Sequence, residues 1–383
     1  MVCEELFRKI DELESTYLSV WEDVTNIESP TKDKAGVDAV GNYLVALAQK
    51  HGWKVERSVQ DVSGDVLCIT MNPDAKNPPV SISGHIDTVH PVGAFGYPAV
   101  RKDAKKIYGP GITDCKGGVV AGLLAMAALQ ECGFDNRPVQ LLVQTDEEGG
   151  SMQSGKATIR YICEKAQGSV AFLNLETHTK NRTTLSRKGI ASYRFDITGQ
   201  AGHSARCATE GANAVVDAAY KMIELDKLKD ERGVTCNCAI VHGGTVVNTI
   251  PDKCTFSVNF RFATYAQATM VENYVKKLAS TEHVPGCRCE VTKISERVAM
   301  ELQPRNKALL AKVNEIYENN GLPVLEPVSL PGGSDAADVS FSGVPCLDSL
   351  GTSGGGTHSV NEFAWIASLK ESARRIASVI YCI

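Results

Sequence analysis

No apolar stretch in the 383 residues approaches the ~18–20 needed to cross a bilayer, so no membrane span is expected. An excess of basic side chains is missing as well. Forty Lys and Arg stand against 45 Asp and Glu, a formal net charge of −5, which excludes the electrostatic footprint of nucleic-acid binding. The opening run Met1-Val2-Cys3-Glu4-Glu5-Leu6 lacks the basic and apolar regions of a secretory signal, and the expectation is a soluble, cytoplasmic protein. Cys-x-x-Cys does not occur, although there are 13 cysteines, an odd number scattered from Cys3 to Cys382. Two C-x-C pairs, Cys236/Cys238 and Cys287/Cys289, fall in strand-like stretches that would turn both thiols to one face. A zinc knuckle there is the lesser reading, and buried small hydrophobes in a reducing compartment the greater. Lys116 stands among glycines, but the P-loop order G-x-x-x-x-G-K-[ST] is not met.

What is present reads as two textures. Leu6, Ile10, Leu13 and Trp21 recur at helical spacing up to Ser29-Pro30, and a second helix pattern covers 36–51. Short apolar runs follow at 66–70, 80–83 and 139–145, with a small-residue helix at 117–132 between the last two. Strands alternating with helices predict an α/β fold with a sheet covered on both faces. From about Arg187 the expected order is strand 190–197, helix 209–228, strands 233–241 and 253–260, helix 265–280 and strand 288–293. That β-α-β-β-α-β order predicts a ferredoxin-like unit inserted into the first domain. The domains expected are therefore 1–186 with 298–383, and 187–297. In the closing segment a helix is expected at 306–319, a strand at 344–349 and a last helix at 364–380.

Five strand or loop ends each deliver an imidazole or a carboxylate. Ser83-Gly84-His85-Ile86-Asp87-Thr88 follows an apolar run, and His85 and Asp87, two apart, point the same way. Asp114 lies in the glycine-rich turn Gly109–Gly118 before the small-residue helix, where it could equally be an N-cap. Leu141-Leu142-Val143-Gln144-Thr145-Asp146-Glu147-Glu148 runs an apolar strand into three carboxylates, and neighbours at a strand end face opposite ways. Glu147 and Glu148 can therefore serve different tasks. Glu176 ends the apolar run from Phe172, and His358 lies in the glycine loop Gly354–Ser359. Each alone is also what a surface loop or a cap would contain. Together they suit metal. Asp114, Glu148 and Glu176 with neutral His85 and His358 carry −3, which two divalent ions and one hydroxide would balance. Without metal these carboxylates, Asp87 and Glu147 would repel one another. Imidazole with carboxylate suits zinc, with manganese or cobalt tolerated.

Taken as an ordered set, these residues resemble the co-catalytic zinc exopeptidases and amidohydrolases, a family that includes glutamate carboxypeptidases, acetylornithine deacetylases and succinyl-diaminopimelate desuccinylases. The resemblance runs over nearly the whole chain. It implies a zinc-exopeptidase-like mixed sheet and two Zn²⁺ per subunit. It also implies that the inserted domain is a lid through which a homodimer forms. Asp114 would bridge the ions, His85 and Glu176 would complete one site, and Glu148 and His358 the other. Asp87 would orient His85, and Glu147 would be general base and later acid. The family often carries a cis peptide after the bridging aspartate, here Asp114-Cys115, although Cys115 is an unusual occupant. Gly199-Gln200-Ala201-Gly202-His203-Ser204-Ala205 is similar to the lid histidine motif, with His203 holding the oxyanion, whereas its plain reading is a loop cap.

By the same resemblance Asn248 would contact substrate and Arg261 would bind a carboxylate, a match to the planar guanidinium's bidentate fork. Arg297 lies where a glutamate carboxypeptidase places a second arginine, and Gly333, in Gly332-Gly333-Ser334, would offer a main-chain amide. Departures exist: Glu176-Thr177-His178 replaces a proline-containing run, and Thr184 stands near the spacing of an expected lysine. The implied substrate is a small peptide or N-acyl amino acid with a free C-terminal carboxylate, cleaved by a carboxypeptidase or by an N-acyl-amino-acid deacylase. A non-enzymatic scaffold of the same fold is a weaker alternative. So is a serine or cysteine hydrolase, since no G-x-S-x-G elbow is expected and no cysteine has a placed base.

Overall fold

Every residue of the helix Lys116–Glu131 from Lys116 to Leu129 is buried, an all-round burial that only an interior helix adopts. It packs against the helices Glu4–Asn26 and Ser368–Cys382 and against the strand Val80–His85. Both outer helices are amphipathic. On the first, Leu6, Ile10, Tyr17, Trp21 and Val24 face inward, and Trp21 Nε1 donates to Ile112 O at 2.9 Å. The computed structural model describes residues 3–230 and 233–383.

The chain forms two compact units: Met1–Leu185 with Leu302–Ser329 and Ser334–Ile383, and Ser186–Glu301 with Leu330–Gly333. The first is built on a six-stranded mixed sheet in the order Lys54–Ser58, Val66–Met71, Val139–Gln144, Val80–His85, Ala171–Asn174, Cys346–Leu347. Its first two pairings are antiparallel, and the strands from Val139–Gln144 onward pair in parallel. The three central strands are buried almost without interruption, as strands covered on both faces are. Their C-terminal ends are level: His85 lies opposite Gln144, and Ser83 opposite Asn174. Open sheets of this kind gather their functional groups at such ends.

The second unit has the strands Gly189–Thr198, Thr235–Gly243, Lys253–Phe262 and Arg288–Arg297, all antiparallel, with the helices Ala214–Asp226 and Tyr265–Ala279. The element order is β-α-β-β-α-β, as the patterning predicts. Along Lys253–Phe262 every second residue is buried, Cys254, Phe256, Val258, Phe260 and Phe262, and Phe256 stacks on Phe195 at 4.6 Å between ring centres. Cys236 is buried and Cys238 partly buried against the same core. Among the described residues neither C-x-C pair belongs to a cluster of metal donors.

Several boundaries differ from expectation. The helix predicted from 209 begins at Ala214, because Gly211 is left-handed and the Asn213 side chain caps Val215 N and Val216 N. The last helix begins at Ser368, since Phe363–Trp365 pairs as a strand with Lys106–Tyr108. The strand predicted over 344–349 shortens to Cys346–Leu347, and Ser349 already has φ of 65°. The edge strand Lys54–Ser58 and the helices Ala157–Ala166 and Asp335–Phe341 carried no reading from sequence.

Two glycines are required where the chain passes Leu175, just before Glu176. A Cβ on Gly118 would lie 2.1 Å from Leu175 O, and one on Gly351 1.9 Å from the same oxygen. Gly118→Ala should therefore cost about 1–3 kcal/mol, even after the ~1 kcal/mol that alanine gains over glycine in a helix. Gly122→Ala should cost less, because its nearest neighbour is Ile82 Cδ1 at 2.9 Å, the end of a flexible side chain. Urea unfolding of both variants checks the ranking, and equal losses would refute the backbone-contact account.

Candidate metal centre

His85 ends its strand with both ring nitrogens committed. Nδ1 lies 3.0 Å from the main-chain oxygen of Asp87, which can only accept, so Nδ1 carries the hydrogen. Nε2 is then left facing Asp114 Oδ1 at 3.3 Å and Glu176 Oε1 at 3.8 Å. Asp87 thus fixes the His85 ring through its carbonyl, and its carboxylate Oδ1 lies 3.5 Å from the same nitrogen. Oδ1 accepts from Glu147 N at 3.1 Å, and Oδ2 accepts from Glu148 N at 3.2 Å and from Thr31 Oγ1 at 2.8 Å.

Asp114 presents its other oxygen, Oδ2, to His358 Nε2 at 3.5 Å, and the same nitrogen lies 3.2 Å from Glu148 Oε2. His358 reaches this position with φ of 61°, a left-handed conformation uncommon for a non-glycine residue and typical of functional loops. The peptide Asp114-Cys115 is cis. Five side chains predicted from the sequence therefore meet as two groups, His85–Asp114–Glu176 and Asp114–Glu148–His358, sharing one carboxylate.

These groups fit a pair of metal ions. Around an ion with bonds of ~2.0–2.1 Å, the donors of a tetrahedron stand about 3.3 Å apart. The separations found, 3.2 to 3.8 Å, bracket that edge. Electrostatics point the same way. Burial and the charge of Asp114 push Glu176 well above the usual carboxylate range, and burial likewise raises Glu148. Burial opposes ionisation of Asp114 too, but the bonds to His358 and His85 win and hold it low. Bonds to Asp114 and Glu148 raise His358 to about 10. Burial opposes a charge on His85, yet Cys115, Asp114, Asp87 and Glu176 together lift it well above the imidazole range. The metal-free chain thus offsets its carboxylates with imidazolium, a role that cations of higher charge can take over.

Glu147 is 7% exposed and is placed beside Glu148 by the Asp87 clasp. An apolar cavity of about 910 Å³ reaches Glu148, lined by Pro30, Val62, Val89, Pro91 and Met152 among others. Lys116 is not a phosphate ligand here. It is fully buried, donates to Ile27 O at 2.8 Å, and burial lowers it to about 7. Gly351-Thr352-Ser353-Gly354-Gly355 spells the letters G-x-S-x-G, but Ser353 runs into the strand Gly354–Gly355 and not into the helix a nucleophile elbow requires. Thr184 is buried against Ser349, with 2.9 Å between their hydroxyls.

The second unit contains the remaining predicted residues. His203 pairs with Thr249, and Ser204 N donates to Asn248 O at 3.1 Å, so His203 and Asn248 are neighbours. His203 Nδ1 accepts from Ala205 N at 3.2 Å, capping a short 3₁₀ turn. Arg261 and Arg297 both lie opposite Ile190, one on either side, and therefore on one rung of the sheet. Arg261 Nη1 donates to Pro331 O at 3.1 Å, and a Cβ on Gly333 would meet Arg297 Cδ at 2.4 Å. Glu362 and His90, which meet at 2.8 Å, carry no signal in the sequence, where a lone glutamate four residues past a histidine has no pattern of its own.

The model of the peptidase family M20/M25/M40 matches residues 81–381. The chain is 29% identical over 361 residues to carboxypeptidase G2 of Pseudomonas sp. (strain RS-16), covering 92% of this chain and 86% of that one. It is 23% identical over 380 residues to the succinyl-diaminopimelate desuccinylase of Rickettsia typhi, covering 93% and 96%. Among solved structures it resembles the Bacillus subtilis YXEP protein, a dinuclear metal binding peptidase of the M20 family, with a TM-score of 0.71, 14% identity, and 97% and 99% coverage.

Coordination requires neutral imidazole, so metal uptake at neutral pH should release protons from His85 and His358, and affinity should fall as pH is lowered. Calorimetry in buffers of different ionisation enthalpy checks this, with up to about two protons expected per chain. Asp114→Asn should lose both metals and His358→Ala only one, as read by metal analysis after gel filtration. Equal loss in the two variants would refute the shared-carboxylate geometry.

Proposed function

The chain belongs to the peptidase family M20/M25/M40 and is a metal-dependent hydrolase, and from that premise we propose that it is a dinuclear-zinc carboxypeptidase, with glutamate the favoured C-terminal residue. The observation that carries this reading is the rung Arg261–Ile190–Arg297, which sets two guanidinium groups on one sheet face beside the Pro331–Gly333 segment. Burial and the nearby charge of Arg297 both lower Arg261 from the usual guanidinium range. A residue with an α-carboxylate and a side-chain carboxylate would satisfy both. Bidentate pairing is the specific use of arginine here.

In the proposed mechanism His85, Asp114, Glu148, Glu176 and His358 hold two divalent ions, which when bound acidify water and polarise a carbonyl. Glu147 takes the proton of the attacking water and delivers it to the leaving amine nitrogen. His203 donates from Nε2 to the oxygen that becomes negative. Its bond from Ala205 N supports this role, because an accepting Nδ1 leaves the hydrogen on Nε2. Asn248 contacts the substrate alongside His203. The second unit serves as the lid and as the surface of a homodimer. The apolar cavity beside Glu148 takes the acyl side, favouring bulky apolar or aromatic acyl groups over acetyl. A second reading, an N-acyl-amino-acid deacylase, draws on the desuccinylase relatives and differs only at the acyl side.

A panel of C-terminal glutamyl dipeptides, p-aminobenzoyl-glutamate and N-acetyl amino acids, with and without chelator, tests the proposal. Chelator-sensitive release of glutamate is expected. Cleavage confined to the acetylated amino acids would transfer the protein to the deacylase reading. Glu147→Gln should lower kcat by about 10²–10⁴-fold with both metals retained, and metal loss would overturn the division of labour with Glu148. Arg261→Ala should lower kcat/KM by roughly 10²-fold, while Arg297→Met should mainly erase the preference for glutamate over neutral C-terminal residues.

A further inference from the structure

The carboxylate of Glu362 is 1% exposed and accepts from four donors. Oε1 receives Thr113 N at 3.0 Å and Asp114 N at 3.1 Å, and Oε2 receives Gly111 N at 3.2 Å and His90 Nε2 at 2.8 Å. A carboxylate has about four lone-pair positions, so this one is fully used. Three of the donors are main-chain amides of the single turn that ends in Asp114. The fourth, His90, is 5% exposed and is itself held edge-on by Phe95 at 4.9 Å. Glu362 lies in the turn that follows His358, where Ser359 N donates to Gly356 O at 3.1 Å and Glu362 N to Ser359 O at 3.0 Å.

We infer that Glu362 is a positioning residue, which locks the main chain carrying Asp114 to the main chain carrying His358 and so sets the spacing of the donor group those two share with Glu148. The inference rests on the reading of Asp114 as the shared metal ligand. Asp114 sends its two carboxylate oxygens in different directions, and a small rotation of its main chain would spoil both. No side chain caps the helix that follows, so the turn's free amides have no other anchor of this kind among the bonds described. The companion clasp is Asp87, which holds Glu147 N and Glu148 N from a position two residues beyond His85. Each histidine is thus followed by a buried carboxylate that grips the turn bearing the opposing acids.

The isosteric change Glu362→Gln is a sharp probe, because an amide offers one acceptor oxygen and turns an NH₂ group towards the other pair of donors. Three readouts are needed on the full chain: hydrogen exchange of residues 109–116 in metal-free protein, cobalt(II) titration with the visible spectrum of the loaded protein, and kcat against KM. Expected in Glu362→Gln are faster exchange in that segment, about 10–100-fold weaker uptake of one cobalt equivalent, shifted cobalt bands, and a lower kcat at near-unchanged KM. Asp217→Asn is the control. It removes a buried carboxylate of the second unit that pairs with Lys221 at 2.8 Å, and should lower the melting temperature without moving the cobalt spectrum. Should Glu362→Gln fail to fold, His90→Phe withdraws one donor and keeps the carboxylate, with smaller shifts of the same kind expected. Wild-type cobalt affinities and bands in a variant whose exchange has risen would make Glu362 a plain structural stitch and sink the inference. Failure of the wild-type chain to take up two equivalents would instead remove the reading of Asp114, and the inference with it.

Discussion

Six carboxylates, Asp87, Asp114, Glu147, Glu148, Glu176 and Glu362, are packed at one end of a buried sheet, and the first unit's architecture answers that concentration of charge. Buried carboxylates persist only where positive charge or several hydrogen-bond donors meet them. The chain uses both means and keeps them apart. Asp87 and Glu362, almost without exposure, are satisfied by main-chain amides, with Thr31 and His90 completing the sets. Asp114, Glu148 and Glu176 face the imidazoles and the space between them. Burial raises Glu148 and Glu176, and that cost of ionisation is what a divalent cation would relieve. The same requirement explains the glycines at 118 and 351, which let Leu175 lie against the helix and bring the residue after it into the group.

Much of this was legible because it lies at strand ends. The strands before His85, Glu147 and Glu176 are rich in apolar residues and buried almost throughout, as parallel strands covered on both faces are, and side chains placed just past such strands converge by geometry alone. In the second unit period-2 burial made the strands readable, and the order of elements followed. What escaped the sequence depends on contacts far apart in the chain. Glu362 meets amides about 250 residues earlier, and no local pattern announces such a bond. The edge strand Lys54–Ser58 is largely polar and has no buried residue, so it lacks the alternation that would mark it. Helix starts were misplaced where one residue decides them, as Gly211 and Asn213 do before Ala214.

The rung Arg261–Ile190–Arg297 was only half legible. Each arginine ends or nearly ends a readable strand, but their alignment depends on a register that includes a bulge between Lys293 and Ser295. A bulge shifts every later residue of its strand by one position relative to its neighbour. Without it, Glu296 would stand where Arg297 does, on the opposite face from its present one. The register irregularity is therefore part of how two cations come to share a rung, and a strand count from sequence could not have placed them there.

For several residues the plain structural reading and the functional one are not alternatives. His203 is a loop cap, and the cap is what assigns its tautomer, since the bond from Ala205 N occupies Nδ1 and leaves Nε2–H outward. Asp87 holds the His85 ring through its carbonyl at 3.0 Å, with its carboxylate Oδ1 at 3.5 Å from the same nitrogen, and that carboxylate also holds the Glu147–Glu148 turn. Asp114 lies one residue before Cys115, the N-cap of the helix Lys116–Glu131, which has no side-chain cap bond, and the bonds that fix the turn come from Glu362. An aspartate relieved of capping is free to spend both oxygens on its imidazole neighbours. The structural bonds at this sheet end decide which atoms remain available for chemistry, and a site of this charge density could not be assembled from side chains that lacked them.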